Sequence, residues 1–391
     1  MPTMDRIAIT GIGAVSAAGG NLKEILRSFE SGKRNAASPS VFKTSLTYPV
    51  FEVLSMPCPE QKGDRTISLA MVAIKEALSQ AGFIDGLKGR NAGVCLGTTV
   101  ASQLNDIDFY RVFKNKQTVQ MEKIERFVKG NLAETVSRRV NAEGPSATVV
   151  NACSSGADAI GIAISWIKSG LCDIAVAGGA DELESVPLCG FRSLGIVSDI
   201  LCAPFDRNRK GLNLGEGAGV LILERESNAR GRGIAPKVFV TGYGSVSDAY
   251  HLTAPHPEGI GLELALKTVL KQGKVTAKEV AFINAHGTAT LDNDKVETKV
   301  LKKVFGDNVK FFSTKGYTGH TLGAAGGLEA AFTASALDVG WMPSSAGFVE
   351  IDEEIGIAPI MVKTQIDKKF AISTSLAFGG NNAALLFERA E

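Results

Sequence analysis

Short aliphatic and β-branched runs recur along the chain, each closed by a glycine-rich turn and followed by a segment of helical spacing. Arg6–Thr10, Ala92–Thr99, Ile174–Gly179, Val220–Glu224 and Ala281–Thr288 read as buried strands. Leu22–Ser31, Ile67–Ala81 and Leu132–Val140 carry apolar residues at helical spacing. Ala37–Lys62 is irregular and proline-bearing, a surface excursion, and Asn105–Gly130 reads as a polar, partly helical insertion. This alternation predicts α/β layers.

One pattern occurs twice. Thr10-Gly11-Ile12-Gly13-Ala14-Val15-Ser16 and Thr241-Gly242-Tyr243-Gly244-Ser245-Val246-Ser247 share T-G-x-G-x-V-S after a β-branched run, each read as a strand entering a glycine turn. Each half also ends in a small-residue turn and a glycine/alanine-rich helix, Asn151–Ile167 in the first and Lys315–Ala336 in the second. Repetition at this distance predicts a duplicated fold. The seam is expected at Arg230–Pro236, dividing the chain into halves 1–235 and 236–391 packed as one body. The first G-x-G is a poor dinucleotide site: Ser16 stands where a third glycine is needed, and no acidic residue follows a second strand at the expected distance.

The 391 residues suffice for one large domain or two ordinary ones, and a net charge of +1 gives no global field pointing to nucleic acid or membrane. Six scattered cysteines form no C-x-x-C pair and no zinc spacing, which suggests a reducing compartment. With no signal-peptide pattern and no apolar run of membrane-spanning length, the expected location is the cytoplasm. No metal or cofactor is expected.

The chemistry concentrates in three turns. The run Thr148-Val149-Val150-Asn151 ends at Ala152-Cys153-Ser154-Ser155-Gly156, read as strand, tight turn and helix start. A cysteine there meets unsatisfied backbone N–H groups, and the positive end of the helix dipole favours its thiolate. A buried structural cysteine is the plain alternative. His286, in Asn284-Ala285-His286-Gly287-Thr288-Ala289-Thr290, and His320, in Thr318-Gly319-His320-Thr321, sit in matching strand–turn settings, whereas His251 and His256 lie in a proline-flanked loop.

These motifs, with Lys315, Gly323-Ala324-Ala325-Gly326, Phe378-Gly379-Gly380-Asn381-Asn382, Pro204-Phe205-Asp206-Arg207-Asn208-Arg209-Lys210-Gly211 and Gly215-Glu216-Gly217-Ala218-Gly219, resemble the β-ketoacyl-ACP synthases, in the same order and over nearly the whole chain. The resemblance implies the duplicated thiolase-like fold, with five layers α-β-α-β-α, and a dimer, either of two like chains or a ketosynthase heterodimer. It implies Cys153 as the acyl-accepting nucleophile and an oxyanion held by the N–H groups of Cys153 and Phe378. His286 and His320 would stabilise the enolate left when a malonyl thioester loses carbon dioxide. Lys315 and Glu329 would orient and balance charge. Thr288 and Thr290 would hold the pantetheine arm, Phe378 would gate the cysteine on a glycine-permitted loop, and Val100 and Leu376 would line the acyl pocket. The partner implied is an acyl carrier protein, which is acidic and would dock on basic residues: Arg209 by resemblance, with Lys62, Arg65, Lys123, Arg126 and Lys129 as neighbours.

The chain departs from the family pattern in places. Asn151-Ala152-Cys153 replaces Thr-Ala-Cys, and Thr374-Ser375-Leu376-Ala377-Phe378-Gly379-Gly380-Asn381-Asn382 replaces Asn-Ser-Phe-Gly-Phe-Gly-Gly-Thr-Asn. The wall segment reads Gly97-Thr98-Thr99-Val100-Ala101-Ser102, where two glycines usually end it. Changes that line the acyl pocket and its gate suggest a specialised ketosynthase of polyketide or polyene synthesis rather than a housekeeping fatty-acid enzyme. Two other readings stand beside it: a non-catalytic chain-length partner subunit, which typically lacks the cysteine, and a coenzyme A thiolase, which would carry a second cysteine in place of His320.

Overall fold

In the computed structural model, residues 5–54, 65–99, 107–121 and 131–391 are described. Their strands are β1 (Ile7–Ser16), β2 (Ala92–Gly97), β3 (Ser146–Val149), β4 (Ile174–Asp181), β5 (Gly217–Arg225), β6 (Val238–Ser247), β7 (Val280–Asn284), β8 (Phe311–Phe312), β9 (Trp341–Met342), β10 (Thr364–Gln365), β11 (Phe370–Ala377) and β12 (Asn381–Arg389). Ten of them hydrogen-bond in the order β3-β2-β4-β5-β1-β6-β12-β11-β7-β8, while β9 and β10 form a separate pair. Read outward from the centre, β1-β5-β4-β2-β3 is repeated as β6-β12-β11-β7-β8. The directions repeat too. β4–β5 and β11–β12 are antiparallel, and β2–β4, β2–β3, β7–β11 and β7–β8 are parallel. Within the sheet the halves join through a short antiparallel pairing, Ile7–Ile9 of β1 against Val238–Val240 of β6.

Side-chain alternation assigns the layers, because successive strand residues face opposite sides. On β4, Ala175 and Ala177 enter a central core with residues of the helices Ser155–Ser169 and Ala325–Val339. Val176 enters an outer core with the helix Arg65–Gln80. On β12, Leu385 and Phe387 face the central core, and Leu386 faces an outer core with the helix Ile260–Gly273. The order is therefore helices, first-half strands, two central helices, second-half strands, helices: the five-layered α-β-α-β-α arrangement implied by the family resemblance.

The repeated T-G-x-G motif is not a turn. β1 runs unbroken through Gly11 and Gly13, and β6 through Gly242 and Gly244. Close packing is what requires these glycines. A Cβ on Gly11 or Gly13 would lie 2.0 Å from the Ala77 carbonyl oxygen or 1.8 Å from that of Ala73, on the outer helix Arg65–Gln80. On Gly242 or Gly244 it would lie 2.9 Å from the Val269 or 2.7 Å from the Ala265 carbonyl oxygen, on the outer helix Ile260–Gly273. Each copy lets an outer helix press its backbone onto a strand.

The same device brings the central helices together at their starts. A Cβ on Gly156 would stand 2.5 Å from the Gly327 nitrogen, and one on Gly326 would stand 2.6 Å from the Ala157 nitrogen. A Cβ on Gly327 would lie 2.5 Å from both the Gly179 nitrogen and the Gly219 carbonyl oxygen, all backbone atoms. Gly327→Ala is expected to destabilise the protein by about 1–3 kcal/mol through overpacking. Gly231→Ala, where an added Cβ meets nothing within 4 Å, should stay within about 0.5 kcal/mol of the parent. Denaturant titration of the two variants checks this.

Candidate active site

Cys153 sits where the strand layer hands over to the first central helix. Ala152, just before it, takes a left-handed backbone with φ +49°, and Asn151 bridges to Cys153 across that tight turn. Ser155 holds the turn from within: its Oγ accepts from the Asn151 N–H (2.8 Å) and donates to the Ala152 carbonyl oxygen (2.6 Å). Cys153 is buried, with the Phe378 N–H near enough to favour its anionic form. The thiolate expected from the helix dipole is not the resting form. Burial pushes the thiol up to about 12, outweighing the opposing pull of Lys315 and the Phe378 N–H. Removing solvent from a compact anion costs more here than one distant cation and one N–H return.

His320 is fixed by the first half of the chain. Its N–H donates to the Asn213 carbonyl (2.8 Å), and its own carbonyl accepts from the Gly215 N–H (3.0 Å). The ring Nδ1 accepts from the Leu322 N–H (3.1 Å), so the proton of the neutral imidazole lies on Nε2. His286 is fixed by Glu297 on the helix Leu291–Phe305, whose carboxylate accepts from the N–H groups of His286 (2.7 Å) and Gly287 (2.8 Å). Thr374 on β11 donates to the same carboxylate at 2.8 Å.

Lys315 ties these groups together. Its buried ammonium donates to His286 Nδ1 (3.2 Å), to the His286 carbonyl oxygen (2.6 Å) and to Glu329 Oε1. Three donors meet three acceptors, and because an ammonium only donates, the His286 proton is also assigned to Nε2. Both imidazoles are held well below the usual histidine range, by burial first and then by the Lys315 charge. Burial raises Glu329 to about 7 despite its contact with Lys315. The two rings stand edge to face with centroids 5.3 Å apart.

Cys153, His286, His320, Thr288, Thr290, Leu376 and Phe378 all line one cavity of about 290 Å³. Thr288 and Thr290 share a 2.8 Å hydrogen bond between their hydroxyls. Phe378 lies in the hairpin between β11 and β12, followed by Gly379 and Gly380, both with positive φ. That hairpin is tied to a neighbouring loop, the Gly379 N–H donating to the Leu252 carbonyl at 2.8 Å and Gly380 accepting from the Asp248 N–H at 2.7 Å.

Comparison with known proteins matches residues 56–229 to the N-terminal domain and residues 238–349 to the C-terminal domain of the β-ketoacyl synthase family model. The chain belongs to the β-ketoacyl synthase family. It is 31% identical over 412 residues to a 3-oxoacyl-[acyl-carrier-protein] synthase 2 of Staphylococcus aureus (strain COL), covering 99% of each. It is 30% identical to the synthase of the same name from Synechocystis sp., covering 98% of each. Among solved structures, the ishigamide ketosynthase/chain length factor superposes with TM-score 0.93 at 29% identity over 100% of both chains. The Xenorhabdus doucetiae ketosynthase ApeO in complex with its chain length factor ApeC superposes with TM-score 0.86 at 29% identity, covering 100% of this chain and 99% of that one.

In this member of the family, two cations expected at a carrier dock from the sequence are engaged elsewhere. The Arg209 guanidinium is buried, donating to Asp352 Oδ2 (2.5 Å), the Asp206 carbonyl (2.9 Å) and the Leu291 carbonyl (3.3 Å), with Asp294 alongside at 3.8 Å. Arg65 is committed to Glu216 and the Val53 carbonyl. Arg209 is buried and Arg65 half-buried, and both spend their guanidinium donors on intramolecular acceptors, which leaves little of either cation to face a carrier. Val100, Lys62, Lys123, Arg126 and Lys129 lie outside the described residues. Among the described residues, no group of three or more His, Cys, Asp or Glu side chains could hold a metal ion, and no helix is long and apolar enough to cross a membrane.

Two site residues escaped the sequence reading. Phe191, on the helix Ser185–Ser193, stacks on Phe378 with centroids 5.4 Å apart and an interplanar angle of 20°. Its partner is 187 positions away, and no local pattern marks it. Glu297 had a signal: with Asn293 and Asp294 it places polar groups on a buried helix face, where an unpaired carboxylate would be costly.

Because the Cys153 thiol is raised, its thiolate fraction climbs tenfold per pH unit well past the point where an ordinary thiol levels off, about 8.5. The rate of Cys153 alkylation by iodoacetamide, followed by peptide mass spectrometry, is expected to rise from pH 7 to 10 without a plateau.

Proposed function

We propose that this chain is an active 3-oxoacyl-[acyl-carrier-protein] synthase, condensing a Cys153-bound acyl chain with a malonyl group presented on an acyl carrier protein. The observation that carries this reading is the pair of neutral imidazoles, both with the proton on Nε2, lining one cavity with a buried thiol. In the first step Cys153 sulfur attacks the acyl thioester carbon and the bond to the pantetheine sulfur breaks. The thiol proton leaves with the pantetheine thiolate, so acylation needs no charged cysteine at rest. The oxyanion of the tetrahedral intermediate lies against the N–H groups of Cys153 and Phe378.

The malonyl thioester then enters along Thr288 and Thr290. The Nε2–H groups of His286 and His320 donate to its thioester oxygen, stabilising the enolate as carbon dioxide departs. The enolate carbon attacks the acyl carbon, a carbon–carbon bond forms, and the Cys153 thiolate is expelled and reprotonated. Lys315 acts through His286: it fixes the tautomer and disfavours a second positive charge. Glu329 offsets the Lys315 charge. Phe378, stacked on Phe191, stands at the cysteine as a gate.

Two finer readings belong here. Leu376 and Ala377, where the family has an aromatic and a glycine, support a specialised pathway of polyketide or polyene type. The likeness to structures named as ketosynthase with chain length factor supports a heterodimer with such a partner over a pair of like chains. The non-catalytic partner-subunit reading is disfavoured by the intact Cys153, His286 and His320.

Incubation with an acyl-carrier thioester is expected to leave a covalent acyl adduct on the intact protein, absent in Cys153→Ala; no adduct on the parent would favour the partner-subunit reading. Malonyl-carrier decarboxylation, measured by carbon dioxide release, is expected to fall at least a hundredfold in His286→Ala. Since the folded imidazoles titrate below 6.5, the proton-bearing, uncharged form persists as pH drops through that value. The decarboxylation profile should therefore show no inflection near 6.5. Stability moves the opposite way: the unfolded chain binds the extra protons first, so acid erodes it. With a panel of acyl-carrier primers, unsaturated or oxo-bearing chains are expected to be elongated in preference to saturated medium-length chains. Preference for the saturated chains would count against the specialised pathway.

A further inference from the structure

A buried carboxylate that the mechanism does not use lies one helical turn beyond the nucleophile. Asp158, in the first turn of the helix Ser155–Ser169, is 4% exposed. Its Oδ2 accepts from Asn151 Nδ2 at 2.5 Å and from Ser154 Oγ at 2.8 Å. Its Oδ1 accepts from the Tyr243 hydroxyl at 2.7 Å. Two of these donors flank Ala152-Cys153, and the third comes from β6 in the other half of the chain.

Each partner is itself seated. Tyr243 occupies the position in the second T-G-x-G-x-V-S copy that Ile12 holds in the first. Its ring lies over Gly161 on the same helix as Asp158; a Cβ there would be 2.3 Å from the ring. Its backbone N–H and carbonyl are both bonded to the Gln272 amide, at 2.9 Å each. Burial and the adjacent carboxylate push the phenol upward, so it stays a donor throughout the working pH range. Asn151 is the residue that departs from the family's threonine, and its amide supplies a donor that reaches the carboxylate.

We infer that Asp158 is a positioning residue for acyl transfer: it clamps Asn151 and Ser154 on either side of the left-handed Ala152 and, through Tyr243, locks the Cys153 turn to β6. A left-handed backbone at a residue with a Cβ persists only where its surroundings over-determine it. Ser155 supplies the inner restraint and Asp158 the outer one. Without the outer restraint the turn relaxes, and the sulfur and the Cys153 N–H lose alignment with the Phe378 N–H. The histidine side of the site has its own anchors, Glu297, Lys315 and the 213–215 segment, and keeps its geometry. The inference rests on Cys153 being the acylated nucleophile.

The test compares two half-reactions in the full-length protein: single-turnover acylation of Cys153 by an acyl-carrier thioester, and decarboxylation of malonyl carrier. Asp158→Asn keeps the volume but removes the charge and replaces one accepting oxygen, facing either the Asn151–Ser154 pair or Tyr243, with an amide NH2 that cannot accept. The maximal acylation rate is expected to fall tenfold or more, with the half-saturating carrier concentration unchanged and decarboxylation within twofold of the parent. Tyr243→Phe, which removes one oxygen, should lower acylation severalfold in the same selective way, and the double variant should be no slower than Asp158→Asn alone. Equal losses in both half-reactions, or no loss in acylation, overturn the inference. If Asp158→Asn does not fold, the Tyr243→Phe split alone decides. A parent protein that forms no Cys153 adduct instead overturns the nucleophile reading beneath it, so the two failures are distinguishable.

Discussion

Everything in this site follows from a contact between two pieces of backbone. Where the central helices start, Gly156 meets Gly327 and Gly326 meets Ala157 at distances that leave no room for a Cβ. Gly97, Gly179 and Gly219, on the adjoining strands, make room for the helix starts in the same way; a Cβ on Gly97 would lie 2.2 Å from the Ser155 carbonyl carbon. The turns before these helices carry Cys153 and His320. Because the helix starts touch, thiol and imidazole open into one cavity although 167 positions separate them. The dense, small-residue packing also explains why the reacting groups are buried, each exposing only the edge that lines the cavity.

Burial reverses ordinary charge preferences here. Cysteine, both histidines and Glu329 are each driven toward their neutral forms by burial, and the Lys315 ammonium, with all three protons bonded, is the fixed charge among them. That cation pulls the thiol downward only weakly against desolvation, yet it sits against His286 and sets that ring's tautomer. Its influence is thus directional. It dictates which nitrogen bears a proton, and the Leu322 N–H does the same for His320. Uncharged rings with outward Nε2–H groups suit an oxygen that becomes negative only during reaction, because the donors are oriented before charge develops and need no solvent rearrangement.

Duplication gave the two halves different burdens. In both, the T-G-x-G segment serves the same structural end, seating an outer helix on a strand. The small-residue turn diverged: the first half presents a nucleophile, and the second presents Lys315 and His320. Cross-bracing keeps the halves in register. Asp181 on β4 accepts from the Gly323 N–H at 2.7 Å, and Leu214 and His320 pair as an isolated bridge.

Local sequence was enough for many of the elements and for picking out the candidate residues of the site. The helices Leu22–Ser31 and Leu132–Val140 fall where their spacing predicts, because amphipathic periodicity and their asparagine caps are short-range signals. The repeated motif announced a duplicated fold; Cys153, His286 and His320 stood out by their glycine-framed turns, and Lys315 through the family resemblance. Other features depend on atoms far away in the chain. The first G-x-G looked like a turn until an outer helix accounted for the missing Cβ atoms, and Arg209 looked like surface until Asp352 and Asp294 enclosed it. The charge state of Cys153 follows from how much solvent the fold excludes, which no neighbouring residue specifies. Phe191 stacks on Phe378, and Tyr243 reaches Asp158, only because the layers close over them. Residue types and local periodicity are written into the chain, whereas dielectric, partner choice and close approach are properties of the packed whole.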